Sequence, residues 1–194
     1  MFVCKYNNKR MKMKIYCFCI GLSLIILTNT GCNSVSKNTE GLISTHIMMP
    51  KSLNKVENYT TVPYTHNKGK PHMVIYYDSN LCQTCQLTKL EIWQPIIDTI
   101  QMMNKDVETV FITSPSVNEY NSVVNTISIY NKGYNILIDR FDDFRKSNPL
   151  IPDDYRFHTL LLNGNDQVIL VGNPLNNDII WNLYKETISK LNKL

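Results

Sequence analysis

The order of periodic segments along this 194-residue chain predicts a mixed α/β sandwich, with a parallel first half joined by crossover helices, then an antiparallel hairpin and a closing helix. Three observations predict it. From residue 72 onward, short β-prone apolar runs alternate with segments whose apolar residues recur at helical spacing. Asn163-Gly164-Asn165-Asp166 separates two such runs, the signature of a hairpin turn. The last segment, 178–191, carries one apolar stripe suited to lie on a sheet.

Each element follows in turn. His72 to Tyr77 is a continuous apolar run suited to a central strand. Gln86 to Met103 sets Leu87, Leu90, Trp93, Ile96, Ile97 and Ile100 on one helical stripe, with Pro95 expected to kink it. Val107 to Thr113 is strand-like. Ser116-Val117-Asn118-Glu119 reads as a capping box opening a helix with Tyr120, Val123, Val124 and Ile127 on its apolar face. Tyr134 to Asp139 is a third strand, and Phe141 to Ser147 a short helix or turn capped by Asp142 and Asp143. Phe157 to Leu162 and Gln167 to Val171 form the hairpin, and Asp178 to Leu191 closes the chain with Ile180, Leu183, Tyr184, Ile188 and Leu191 at helical spacing. Trp93 and Trp181 read as core.

The N-terminal third is of another kind. Residues 1–14 carry Lys5, Lys9, Arg10, Lys12 and Lys14 and no acid, and Ile15 to Leu27 is an apolar stretch long enough for a signal-peptide core but short of the roughly 20 residues that span a bilayer. Met11 and Met13 are alternative starts that would shorten the basic region. Thr28-Asn29-Thr30-Gly31-Cys32 resembles the lipobox of bacterial lipoproteins, which implies cleavage after residue 31 and lipidation of Cys32; Asn29 departs from the usual aliphatic residue. Removing the leader's five cations takes the 20 Lys+Arg to 15, against 16 Asp+Glu, so the rest of the chain is near neutral and has no general electrostatic footprint for nucleic acid. Residues 32–68 read as a polar, lipid-anchored tether with Leu42 to Met49 as its one ordered patch and part of it adding an edge strand or hairpin, and 69–194 as the folded domain. His46, His66 and His72, in or beside this arm, read as solvated surface residues.

The chemistry sits at Cys82-Gln83-Thr84-Cys85. The first strand, followed by a turn and a helix, delivers the leading thiol to the positive end of a helix dipole, where its anion is favoured. Of six cysteines, Cys4, Cys17 and Cys19 lie in the leader and Cys32 at its cut, which leaves one possible internal disulfide.

The strand ending in Cys82-Gln83-Thr84-Cys85 and the Phe157-to-Val171 hairpin with its closing helix resemble the thioredoxin superfamily, especially the membrane-anchored thiol-disulfide oxidoreductases of bacterial envelopes, with residues 134–147 matching the central insertion of exported members. The resemblance spans roughly 72–193. It implies a thioredoxin-like three-layer sandwich in which Cys82 is the nucleophile and Cys85, partly buried, resolves the mixed disulfide. No cofactor is implied beyond the dithiol. The implied partners are disulfide-containing envelope proteins or an upstream membrane electron donor. His158 falls where such proteins place a cis-proline; a trans peptide is expected there, and His158 either faces Cys82 and stabilises its thiolate as imidazolium or merely fills the proline's space as a loop histidine.

Two other functions remain in view. Cys82, Cys85 and His158 could hold Cu(I), as in copper chaperones of the same fold, although those keep three residues between their cysteines. Alternatively the domain is a redox-inert binding module with a structural disulfide. Zinc is disfavoured, because no second CxxC or HxxxH supplies four ligands. A peroxidase is disfavoured too, because Asp78-Ser79-Asn80-Leu81 lacks the upstream threonine of peroxidatic loops. Asp78 and Glu91 read as solvated carboxylates, with proton acceptance from Cys85 as the functional alternative.

Overall fold

The computed structural model describes residues 41–191; the leader, its cut and Cys32 lie outside the described residues. Seven strands form one sheet: β1 (Asn54–Glu57), β2 (Thr60–Pro63), β3 (His72–Tyr77), β4 (Glu108–Thr113), β5 (Asn135–Ile138), β6 (Thr159–Leu162) and β7 (Val168–Val171). Their spatial order is β2-β1-β5-β4-β3-β6-β7. The helices are α1 (Gln83–Leu87), α2 (Gln94–Met103), α3 (Tyr120–Tyr130), α4 (Asp143–Ser147) and α5 (Asp178–Leu191), with 3-10 turns at Leu90–Trp93 and Tyr155–Phe157.

The predicted topology is present. β3 pairs in parallel with β4, and β4 with β5; β6 pairs antiparallel to β3, and β7 to β6. β3 is buried at all six positions because both its faces are covered, which is why it reads as an unbroken apolar run rather than an alternating one. Met73, Ile75 and Tyr77 point to the side where α1, α2, α3 and α5 pack, in one core with Phe111, Ile136, Leu161 and Tyr184. Val74 and Tyr76 point to the other side, against Leu42, Ile47, Leu53, Phe144, Ile151 and Phe157.

That second face corrects the domain boundary. Residues 41–68, read as part of a tether, contribute the β1–β2 hairpin, and β1 docks antiparallel on β5. Leu42, Ile47, Leu53 and Val56 are each at most 5 % exposed, so this segment packs as part of the fold. The hairpin is the edge addition expected of part of this segment, and the apolar patch Leu42 to Met49 lies along β7, where Ser44 N–H donates to the Val168 carbonyl at 2.8 Å.

Two helix starts also differ from expectation. The stripe from Leu87 to Ile100 is buried as predicted, but it is carried by α1, a 3-10 turn and α2, so Pro95 opens a helix instead of kinking one. Proline fits there because the first-turn amides have no intrahelical partner. At α4 the capping is done from a distance: the buried Asp139 carboxylate accepts the N–H groups of Asp143 (2.9 Å) and Phe144 (2.7 Å), while Asp142 takes a left-handed conformation. Ser116 and Glu119 do bond, side chain to side chain at 2.7 Å, ahead of α3.

The arm also buries two of its histidines. His72, the first residue of β3, has no exposed surface, and burial together with the neighbouring His66 pushes its pKa down. His66 is half-buried and only His46 is exposed as predicted. Among the described residues, no helix is long and apolar enough to cross a membrane.

Phe111 on β4 is the centre of the helical-side core, with its ring 6.3 Å from Tyr77, 6.0 Å from Trp93 and 5.7 Å from Tyr134. Phe111→Ala is expected to cost about 3–5 kcal/mol through lost transfer energy and the cavity left behind. Urea unfolding midpoints check this; a loss below about 1 kcal/mol would show that the aromatic cluster repacks without it.

Candidate active site

β3 ends at Tyr77, and the next four residues turn the chain so that Cys82 stands at the head of α1. Asp78 makes the turn, its carboxylate accepting the Asn80 N–H at 3.0 Å and its carbonyl the Leu81 N–H at 3.2 Å. Cys82 is the N-cap, extended in backbone, and its carbonyl accepts the Gln86 N–H at 3.1 Å. Its sulfur is bonded to that of Cys85, with the two Cα atoms 5.3 Å apart. Thr84 Oγ1 lies 3.7 Å from the Cys82 sulfur.

Both cysteines are exposed. This corrects the expectation that Cys85 is partly buried, and the reason is helical geometry: residues three apart share a face, so a Cys82 that faces solvent takes Cys85 with it. The inward positions of α1 belong instead to Gln83 and Leu87, one turn apart and both buried.

Gln83 is the functional neighbour that sequence reasoning passed over. Its carboxamide is fully buried. Its NH₂ donates to the carbonyls of Asp78 and of Leu81 (3.3 Å), and its oxygen accepts the Thr113 hydroxyl at the end of β4. One side chain therefore ties the turn before the dithiol to the adjacent strand. A glutamine inside a CxxC reads as a neutral spacer; the signal available was that a residue between two exposed positions of a helix start faces inward.

His158 lies where the fold brings it beside this turn, but it is engaged elsewhere. It is 2 % exposed, and its carbonyl accepts the Tyr76 N–H at 2.9 Å. Nε2 is 2.8 Å from the Pro152 carbonyl, an acceptor only, so Nε2 carries the hydrogen. Nδ1 faces the Asp78 carboxylate at 3.9 Å, and the ring packs on Tyr76 at 5.3 Å between centroids. Neither nitrogen bonds a sulfur. Burial pushes the His158 pKa down, the Pro152 carbonyl and Asp78 opposing it in part, which disfavours the imidazolium form that would stabilise a Cys82 thiolate. Among the described residues no peptide bond is cis, as expected before His158.

Other polar groups line the same end of the sheet. Asp139 is fully buried and its pKa is raised by that burial, with the α4 amides pulling the other way. Tyr76 Oη donates to Asp142 at 2.8 Å, and Trp93 Nε1 donates to Tyr77 Oη at 3.1 Å, a phenol that burial pushes up to about 12. Asp78 is buried, not solvated as read, and serves the turn; Glu91 is exposed beside Lys132. Cys82, Cys85 and His158 do not converge as a three-ligand set: the group of His, Cys, Asp and Glu whose ligand atoms do converge among the described residues is His66, His72 and Asp166.

No protein-family model matches the chain, and no curated protein sequence matches it. Solved structures do. A thioredoxin-like protein of uncharacterised function from Porphyromonas gingivalis is 16 % identical, with 76 % of this chain and 93 % of that chain covered at a TM-score of 0.50. A protein from Aquifex aeolicus VF5, provisionally described as an electron transfer protein, is 14 % identical, with 76 % and 97 % covered at a TM-score of 0.52. At such identities the likeness is one of architecture. The strand order and the crossover helices are those of a thioredoxin-like fold.

Two outcomes are expected. Gln83→Ala should destabilise the oxidised protein by about 1–3 kcal/mol, because the Asp78 and Leu81 carbonyls and the Thr113 hydroxyl lose a buried partner; unfolding curves of wild type and variant decide it. The His158 pKa lies below its ordinary 6.5 in the folded chain, so the unfolded chain binds the extra proton. Stability present above about pH 6.5 is then lost as pH falls through the folded value. His158→Gln, which keeps a donor toward Pro152, should flatten the decline between pH 7.5 and 5.5 without removing it, since His72 acts in the same direction.

Proposed function

We propose that this protein is a thiol-disulfide exchange protein of the bacterial cell envelope, attached to a membrane through lipidated Cys32 and acting on disulfides of envelope proteins. The observation that carries the reading is the exposed Cys82–Cys85 pair at the head of α1. In the reduced protein Cys82 stands at the N-cap of α1, whose first-turn amides have no intrahelical partner and would favour its thiolate. It attacks one sulfur of a partner disulfide; that S–S bond breaks, the partner's other sulfur leaves as thiolate, and a mixed disulfide forms. The Cys85 thiolate then attacks the Cys82 sulfur. The partner's second thiolate departs, and the Cys82–Cys85 bond closes, two electrons having passed to the partner. Run backwards, the same steps oxidise a dithiol.

Magnitudes favour exchange over a structural staple. Closing a four-residue loop removes unfolded-chain entropy worth about 2 kcal/mol, against about 3 kcal/mol for a loop of 15 residues, so this disulfide adds comparatively little to the fold. Neither sulfur is packed in a core. The leader and lipobox-like stretch support an oxidising location outside the cytosol, where such pairs work.

Cys85→Ala should accumulate partner proteins as mixed disulfides through Cys82, released by dithiothreitol, and Cys82→Ala should trap none. The pair's reduction potential should lie above about −300 mV, the limit below which disulfides behave as structural. A lower potential together with an empty trap contradicts the proposal.

A further inference from the structure

We propose that His66, His72 and Asp166, with Glu108 beside them, form a binding site for a divalent transition-metal ion of the zinc type. The site lies at the opposite end of β3 from the dithiol, about 17 Å along the strand. It is independent of the exchange chemistry.

The donors come from separate segments that the fold brings together. His66 precedes β3, His72 is its first residue, Asp166 lies in the β6–β7 turn, and Glu108 is the first residue of β4. One ligand atom each of His66, His72 and Asp166 lies within 4.8 Å of the others. A tetrahedral ion with bonds of about 2.0–2.1 Å holds its donors roughly 3.4 Å apart, so small side-chain movements close the set. His66 Nε2 is already 2.7 Å from Asp166, the two imidazole centroids are 4.6 Å apart, and Glu108 Oε2 is 3.6 Å from His72 Nε2.

The second observation is where unsatisfied polar atoms collect. His72 is fully buried, and neither ring nitrogen has a hydrogen-bond partner of normal geometry, the Lys70 carbonyl making only a looser approach. His66 Nδ1 and Tyr64 Oη, the latter loosely approached by Asn135, are in the same condition. A His66–Asp166 hydrogen bond by itself accounts for those two residues. It leaves His72 unexplained, because a buried imidazole with no hydrogen bond of normal geometry is costly; a metal ion would satisfy one ring nitrogen and leave the other to donate to a nearby acceptor.

The frame is firm. Gly69 N–H donates to the Gly164 carbonyl at 3.1 Å, and a Cβ on Gly164 would meet the Gly69 carbonyl oxygen at 2.7 Å, so the loop bearing His66 and the turn bearing Asp166 touch through their backbones. The Asp166 carbonyl also accepts the Ile47 N–H at 2.8 Å, which joins the arm. Two neutral imidazoles with one or two carboxylates suit Zn(II) and its borderline neighbours; all-oxygen cages suit Ca(II) and Mg(II), and thiolates suit Cu(I).

The test uses the full chain with Cys82–Cys85 oxidised and the other four cysteines alkylated, so that no thiolate competes. Zn(II) is titrated against a chromophoric chelator, and Co(II) is followed by its visible d–d bands. One equivalent of Zn(II) is expected, with Asp166→Asn and His66→Gln each weakening binding by more than about tenfold. His72→Gln should abolish the Co(II) bands; should that variant fail to fold, the other two decide. The proposal is overturned if the alkylated chain binds no stoichiometric Zn(II), or if both Asp166→Asn and His66→Gln bind it as wild type does.

Discussion

The buried carboxamide of Gln83 sets the direction in which the dithiol faces. By holding the Asp78 and Leu81 carbonyls and the Thr113 hydroxyl, it anchors the inward side of the first turn of α1 to the end of the parallel sheet. With position 83 committed inward, the helical period commits 82 and 85 outward. A five-residue helix has a weak dipole of its own, so the geometry of the turn, rather than helix length, sets Cys82 at the N-cap with its sulfur 3.7 Å from Thr84 Oγ1. His158 and Asp78 belong to the scaffold behind that turn. The exchange chemistry proposed for this protein is left to the two sulfurs.

β3 organises the molecule. Buried on both faces and paired on both edges, it is the most constrained element, and functional groups collect at its two ends: thiols after its last residue, imidazoles and carboxylates around its first. Ligands at the carboxyl ends of parallel strands are the common pattern in such sheets. The other end is where the arm, the β6–β7 turn and β4 meet, and a cation there would clamp segments that the sheet alone does not hold together.

Much of this architecture was legible because its signals are local. The apolar run 72–77, the Asn-Gly turn and the 178–191 stripe each announce themselves within a short window, and all three elements lie where expected. What stayed hidden depends on distant partners. β1 has one buried residue, Val56, and becomes a strand because β5 offers it an edge. The break between α1 and α2 falls at Thr88 and Lys89, neither a glycine nor a proline, and the stripe on either side continues unbroken across it. At the site, the two cysteines and the strand, turn and helix that carry them could be read directly, whereas the inward Gln83, the exposed Cys85 and the engaged ring of His158 follow from three-dimensional packing. The pairing of His66 with Asp166 could not be inferred from a polar arm, since the partner lies a hundred positions away in the β6–β7 turn.

The central claim is that the turn holds the Cys82 sulfur where its anion is favoured, and the rate at which iodoacetamide alkylates Cys82 in the reduced protein as a function of pH tests it most directly. The account predicts a midpoint clearly below the ~8.5 of an unperturbed thiol, with Cys82 modified ahead of Cys85. A midpoint at or above ~8.5, or equal rates at the two cysteines, would contradict it.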